Sequence, residues 1–395
     1  MKTTTVSNSQ AWIGRYLGLL QFLLVLGWTV YAAFVPELLA RVGIGKDKAG
    51  WLLMADQLLF MVFDVGAGFL ADRAFVSYAR LGPWLVGISL LSCLAFLLLP
   101  EAAALGQPLL LMGLIGLWAA TSSALRAPAF ALLARHLPPS ASSRATTGLL
   151  LGMALAGIVS PYLGTALKGI SPTLPFAVSS LSLFAVASGL IIAERRLAVS
   201  ASFTFSARPA LTPAFFYPVL LLAALAFQIC FNLNAAPRYL LSTTAGQLPW
   251  LMPVFWIGFN IGPLAGGVMA EKAPARLLQA GSLIACAGLF FGIAVLPPSL
   301  NGALLSQFLS GLGWGLCLAG AFDFVTQPGL PLKMATATGL LYAVLALASL
   351  IRIALGVAGY GKWLPQHASG FLLPFNLWLL TACLLVAGRV RRKAA

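Results

Sequence analysis

Acidic residues are nearly missing from this sequence. Nine Asp and Glu stand against 24 Lys and Arg in 395 residues, and charged residues of both signs make up 8%. A soluble domain carries about 25% charged residues, so a water-facing globule is excluded. Histidine is scarcer still. The only two, His136 and His367, fall in loops far apart in the chain, which leaves no His-based catalytic or metal site. The five cysteines (Cys93, Cys230, Cys286, Cys317 and Cys383) sit inside apolar runs with no paired spacing. They read as small apolar fillers rather than metal or redox groups. No phosphate-cradling loop of the Walker type occurs, so ATP hydrolysis in this chain is not expected. No metal and no bound cofactor is expected either, and energy would come from a proton or sodium gradient.

What the sequence has in abundance is apolar length. Hydrophobic residues make up 60%, and the mean hydropathy is +0.96. Runs of about 20 apolar residues recur along the chain, each long enough to cross a roughly 30 Å hydrocarbon core as a helix. Only helices or closed barrels satisfy their backbone in lipid, and these runs lack the alternation of barrel strands. The expected fold class is therefore an all-α membrane protein with twelve transmembrane helices. The spans read as 12–36, 49–71, 81–100, 108–134, 145–168, 173–193, 215–240, 247–270, 276–297, 302–328, 334–359 and 368–388. The first ten residues carry no signal-peptide cleavage pattern, so the first span is expected to remain as a helix.

Basic residues orient these spans. Sixteen fall on the side of the N-terminus, against five on the other side: Arg41, Lys46, Lys48, Lys168 and Lys362. The positive-inside bias predicts that both termini are cytoplasmic, and a bacterial inner membrane is the expected location. The same loops account for the net charge of +15, since basic residues beside a membrane are drawn to anionic lipid. Nucleic-acid binding would gather them on one folded surface with aromatics between, so no nucleic-acid partner is expected. The expected partners are a lipid bilayer and a small-molecule substrate, with the chain acting as a monomer.

The chain also repeats itself. AGFLADR at 67–73 returns as GGVMAEK at 266–272, so that Gly68, Asp72 and Arg73 match Gly267, Glu271 and Lys272 at an offset of 199. Trp51 matches Trp250 at the same offset, and RATTGLLL at 144–151 resembles KMATATGLLY at 333–342. These pairings divide the chain into a six-span bundle at 1–196, a polar, proline-bearing cytoplasmic linker at 197–213 and a second six-span bundle at 214–395. Two halves in parallel order imply a pseudo-two-fold axis along the membrane normal, with a site between them near the midplane.

Twelve spans in two halves, with Gly-x-x-x-Asp-Arg between spans 2 and 3 and an echo between spans 8 and 9, resemble the major facilitator superfamily over essentially the whole chain. The family signature continues as Gly-x-Leu-Ala-Asp-Arg-x-Gly-Arg-Arg/Lys. This sequence supplies Gly68, Leu70, Ala71, Asp72 and Arg73, then departs with Phe75, Val76 and Ser77. The resemblance implies that the loop latches the halves on the cytoplasmic side, with Asp72 facing the start of span 11. A carboxylate is stabilised by the positive end of a helix there. Glu271 and Lys272 would form the second latch. In span 5, Gly157, Pro161 and Gly164 match the antiporter pattern Gly-x-x-x-Gly-Pro-x-x-Gly-Gly while Ser160 and Thr165 do not. That is a slight lean to drug/proton antiporter-like exporters, and small-residue packing accounts for the stretch equally.

Charges inside the membrane are functional candidates by default. Asp64 and Arg126 fall within about 10 Å of the midplane and can pair, either as a structural ion pair or as a coupling element. Asp56, eight residues before Asp64, is either a proton acceptor or a water-held residue near the span end. Asp323 and Arg352 differ in depth by roughly 20 Å and are not expected to pair. Arg352 is expected either to take an anionic substrate group or to pair with Asp56 across the halves. Gln228 and Asn232 share one helix face. The resemblance implies that spans 1, 4, 7 and 10 line the cavity, and with them Gln21, Trp28, Tyr31, Arg126, Gln228, Asn232, Trp314 and Asp323. Such a wall suits a partly apolar organic solute; helix–helix hydrogen bonds and interface anchoring are the competing reading.

The expected function is a secondary transporter of a small organic, amphiphilic or anionic solute, working by alternating access and coupled to protons through Asp64, Asp323 or Asp56. An uncoupled facilitator or lipid transporter of the same fold is the alternative, and a transport-dead receptor or scaffold is the alternative of another class. An enzyme is not expected.

Overall fold

The computed structural model describes residues 8–77, 81–134, 137, 139–197, 212–269, 274–295, 299–327, 330–363 and 368–394. Among these, twelve helical spans are long and apolar enough to cross a membrane. They are α1 (Trp12–Arg41), α2 (Lys46–Ala74), α3 (Gly82–Ala104), α4 (Pro108–Ala134), α5 (Ala141–Ala166) and α6 (Thr173–Arg196). The second set is α7 (Pro213–Leu233), α8 (Ala245–Gly266), α9 (Pro274–Gly292), α10 (Leu300–Val325), α11 (Met334–Val357) and α12 (Gly370–Gly388). The first span runs past its expected end, because Pro36 is carried inside the helix. We call the membrane face where α1 begins and α12 ends the terminal face, and the opposite one the distal face.

Local chemistry sets several boundaries. Pro108 and Pro213 occupy the first turns of α4 and α7, where a missing N–H costs nothing. On the distal face, Gly43 and Gly106 take φ of 79° and 65° and end α1 and α3, with the Ile44 and Gln107 amides reaching back to the carbonyls of Leu39 and Ala102. Inside α4, Pro128 supplies no amide and its ring opposes the carbonyl four residues back. The helix there tightens to a 3-10 turn at Ser123–Leu125, and Arg126 leaves helical geometry at φ −97°, ψ −95°. α7 ends in a π-helical turn at Gln228–Leu233, and Pro237 follows in the short helix Ala235–Leu240.

The first six helices pack mainly on one another, through α1–α5, α1–α6 and α3–α6, and the last six through α8–α10, α9–α10 and α7–α12. The two largest contacts between the sets are antiparallel, α2 with α11 and α8 with α5, and α4 with α11 and α5 with α10 add smaller ones. A two-fold exchange of halves maps one of the two largest onto the other. At the offset of 199, Asp64 corresponds to Pro263, and by the second repeat Thr147 corresponds to Thr338. The Thr147 hydroxyl donates to the Pro263 carbonyl at 3.3 Å, while a Cβ on Gly339 would collide with the Asp64 carbonyl. The two pairs therefore meet within one residue of equivalent positions. Gly148 presses on Gly14, and Gly152 on Gly18, so closely that neither glycine of α5 has room for a side chain.

Candidate functional site

A cavity of about 290 Å3 lies inside the first half and is closed on one side by α11. Gln21 and Trp28 of α1, Gln57 and Phe60 of α2, and Trp118, Ser122 and Arg126 of α4 line it. Ser92, Cys93 and Phe96 of α3 and Ser179 and Ser180 of α6 form its inner end, while Tyr342, Ser349 and Arg352 of α11 face them. Rings set its shape: Trp28 and Trp118 stack with centroids 6.1 Å apart, and Phe60 meets Trp28 edge-on at 5.6 Å. Below it, towards the terminal face, Phe130 of α4 meets Phe322 of α10 at 5.2 Å, and Phe322 meets Tyr342 at 5.8 Å. That aromatic layer spans the junction of the halves.

Asp64 and Arg126 pair as expected, at 3.1 Å. The carboxylate is fully buried and the guanidinium faces the cavity over the Phe60 ring, 4.2 Å from its centroid. Arg126 also donates to Ser123 at 3.1 Å, its neighbour in the broken turn of α4. The break aims the head group: without it, the side chain would continue the spiral of an intact helix.

Asp56 and Arg352 do not pair. The Tyr31 hydroxyl donates to Asp56 at 2.7 Å, and both side chains are fully buried within the first half. Along the antiparallel α2–α11 contact, Gly50 meets Val357 and Gly68 meets Ala335, which puts Asp56 and Arg352 at nearly one level. Their separation is one of direction, since Asp56 turns into its own bundle and Arg352 into the cavity. Arg352 has no carboxylate within ion-pair distance among the described residues, and its Nε is buried with no hydrogen-bond partner.

Five residues expected at the cavity, Tyr31, Gln228, Asn232, Trp314 and Asp323, lie elsewhere. Trp314 is 2% exposed and stacks on Phe227 at 4.9 Å in the core of the second half. Tyr31 sits behind the wall with Asp56. Gln228 is one contact away: its amide donates to Ser349 at 2.9 Å and accepts from Asn232 at 2.9 Å, which holds both amides along α7. Asp323 is outside the wall, facing Ser143 of α5. The aromatic cluster of the second half explains the lopsided cavity. Asp56, Gln57, Phe60 and Asp64 correspond by the repeat to Phe255, Trp256, Phe259 and Pro263. Trp256 contacts Phe231 at 5.4 Å and Phe259 at 5.5 Å, and its ring lies where a Cβ on Gly157 would be. Rings fill the second half where the first is hollow and charged.

On the terminal face, Asp72 caps α11. It accepts from the amides of Ala335 at 3.2 Å and Thr336 at 2.7 Å, and from the Thr336 hydroxyl at 2.7 Å. Gly68 lets α2 lie directly on the Ala335 backbone, and Arg73 lies over Phe69 with its guanidinium 4.3 Å from the ring centroid. Glu271 and Lys272 fall outside the described residues, as do most of the linker and both histidines. One acidic residue escaped sequence reasoning: Glu194, 2% exposed, accepts from the Leu81 and Gly82 amides at 2.9 and 2.8 Å and caps α3. Its place before Arg195 and Arg196 hid it as one charge in a basic loop. Ser92, Ser179 and Ser180 gave no signal, because serine is ordinary in membrane helices. Gln57 was legible as an amide inside an apolar run.

Comparison with known proteins agrees with this architecture. The family model of the Major Facilitator Superfamily matches residues 17–351. A crystal structure of the human organic anion transporter MFSD10 (TETRAN) is similar with a TM-score of 0.67 at 16% identity, covering 95% of this chain and 99% of that one. A bacterial homologue of the iron transporter ferroportin, in an outward-facing state, gives 0.70 at 15% identity over 96% and 99%. The E. coli fucose:proton symporter FucP gives 0.63 at 14% identity over 96% and 99%. No curated protein matches the sequence. With a family model covering most of its length and twelve membrane-length helices in two related sets, the chain belongs to the Major Facilitator Superfamily and is a transporter, not an enzyme.

Proposed function

We propose that the protein is a proton-coupled secondary transporter that moves a small amphiphilic or anionic organic solute by alternating access. The observation that carries this is the Asp64–Arg126 pair: a fully buried carboxylate holds a guanidinium that faces the cavity. A proton taken up by Asp64 removes the charge that balances Arg126 and changes what the cavity attracts. The same proton lifts the cost of a buried carboxylate, so it weights one arrangement of the halves against the other. Arg126 sits directly above the Phe130–Phe322 contact between the halves, so a change in its tether reaches the junction that must part. The α2–α11 and α5–α8 contacts serve as rails for the rocking, and Asp72 holds α11 closed on the terminal face, which the basic loops make cytoplasmic.

Purified protein in pyranine-loaded proteoliposomes, challenged in turn with organic anions, neutral solutes and cations, tests coupling. Wild type is expected to move protons with at least one class, and Asp64→Asn to abolish that flux. Solute uptake that is equal with and without an imposed pH gradient refutes the coupling.

A further inference from the structure

We propose that the solute is an organic monoanion held off the molecular axis, its apolar body inside the first half and its anionic group on Arg352 of α11. This rests on the reading of the chain as a solute transporter and is independent of what drives it. The wall of the cavity carries two charged side chains among its described residues, Arg126 and Arg352. Asp64 balances the first. Among the described residues no carboxylate lies within ion-pair distance of the second, so the described wall carries one net positive charge, and one charge on a solute neutralises it. A guanidinium favours a carboxylate-like group, which it binds with two parallel hydrogen bonds. Its Nε has no hydrogen-bond partner among the described residues, so the protein leaves that donor to be satisfied.

The remainder of the wall defines the body. Trp28, Phe60, Phe96 and Trp118 offer flat apolar surface, and Ser180 at the inner end carries a buried hydroxyl with no partner among the described residues. At about 290 Å3 the cavity is near the small end of ligand pockets, roughly 300–1,000 Å3, so the body is of one- or two-ring size. The equivalent space in the second half is filled by Trp256 and its neighbouring rings, and the residue matching Arg352 by the repeat is Pro161. Only one half can therefore hold the body, while the cation comes from the other half. A bound solute ties α11 to the first bundle, and its binding closes the two halves on each other.

Isothermal titration of the purified full-length protein with three isosteric probes tests this: 2-naphthoate, 2-naphthamide and 2-naphthylmethylammonium. Wild type is expected to bind the acid at least tenfold more tightly than the amide, with the ammonium weakest. Arg352→Gln should weaken the acid about 30-fold or more, as truncating one side of a buried charge pair does, and level it with the amide. Arg352→Lys keeps the charge and loses the planar fork, so it should weaken the acid yet retain the preference for it. That variant and the wild-type order decide the matter should Arg352→Gln fail to fold. An amide that binds as tightly as the acid, an acid preference that survives Arg352→Gln, or no heat with any of the three overturns the proposal. Acid bound through Arg352 but carried equally with and without a pH gradient leaves this site standing and removes only the coupling.

Discussion

Deleting the Asp72 carboxylate should unlatch the terminal face. Asp72→Ala removes three hydrogen bonds at the start of α11, two at 2.7 Å and one at 3.2 Å, from a side chain that is 7% exposed. Hydrogen bonds to a charged group contribute about 1.5–3 kcal/mol each in the protein. Part of that returns as hydration when the halves separate, and the long bond adds little. We take about 2 kcal/mol for the whole contact, in line with the upper range for a charge at a helix terminus. At 1.4 kcal/mol per factor of ten, the balance between closed and open terminal faces moves about 30-fold. Asp72→Asn keeps an acceptor without the charge and should move it roughly half as far on the energy scale. Hydrogen–deuterium exchange read by mass spectrometry distinguishes a latch from a mere helix cap. Faster exchange is expected both in 334–341 and in α5 around Thr147, whose contact with Pro263 belongs to the other interface between the halves. Faster exchange confined to 334–341 would refute the latch, because only the cap would have been lost.

Two further outcomes follow from the packing. Glu194→Ala leaves the buried Leu81 and Gly82 amides without their acceptor, so thermal stability should fall by about 1–3 kcal/mol with binding of probes in the cavity preserved. Unchanged melting of the detergent-solubilised protein would contradict this. Trp314→Leu removes a ring stacked in the second half, at a cost of about 2–4 kcal/mol in stability, while calorimetric affinity for 2-naphthoate should stay within about twofold. Loss of binding without loss of stability would return Trp314 to the cavity wall.

Much of this protein is legible in its sequence. Scarce charge and recurrent apolar length fix a helical membrane protein, and the repeat at 199 residues pairs α2 with α8. A carboxylate at the end of α2 finds the amides of α11 because helix N-termini attract anions wherever topology presents them. The Asp64–Arg126 pair was also foreseeable, since lone charges at membrane depth seek partners. Tertiary structure alone decided which half is hollow. In a span that is apolar all round, a ring facing the cavity, the bundle core or lipid reads alike, because periodicity marks a face only where polarity changes. Trp314 and Trp28 are therefore indistinguishable as letters, yet one fills its bundle and the other lines a cavity. Direction separated Asp56 from Arg352 in the same way: two charges at one level pair only if their helices turn them towards each other. The sequence determined the spans, the repeat and the charges to be accounted for, and the packing of rings in the second half determined where a solute has room.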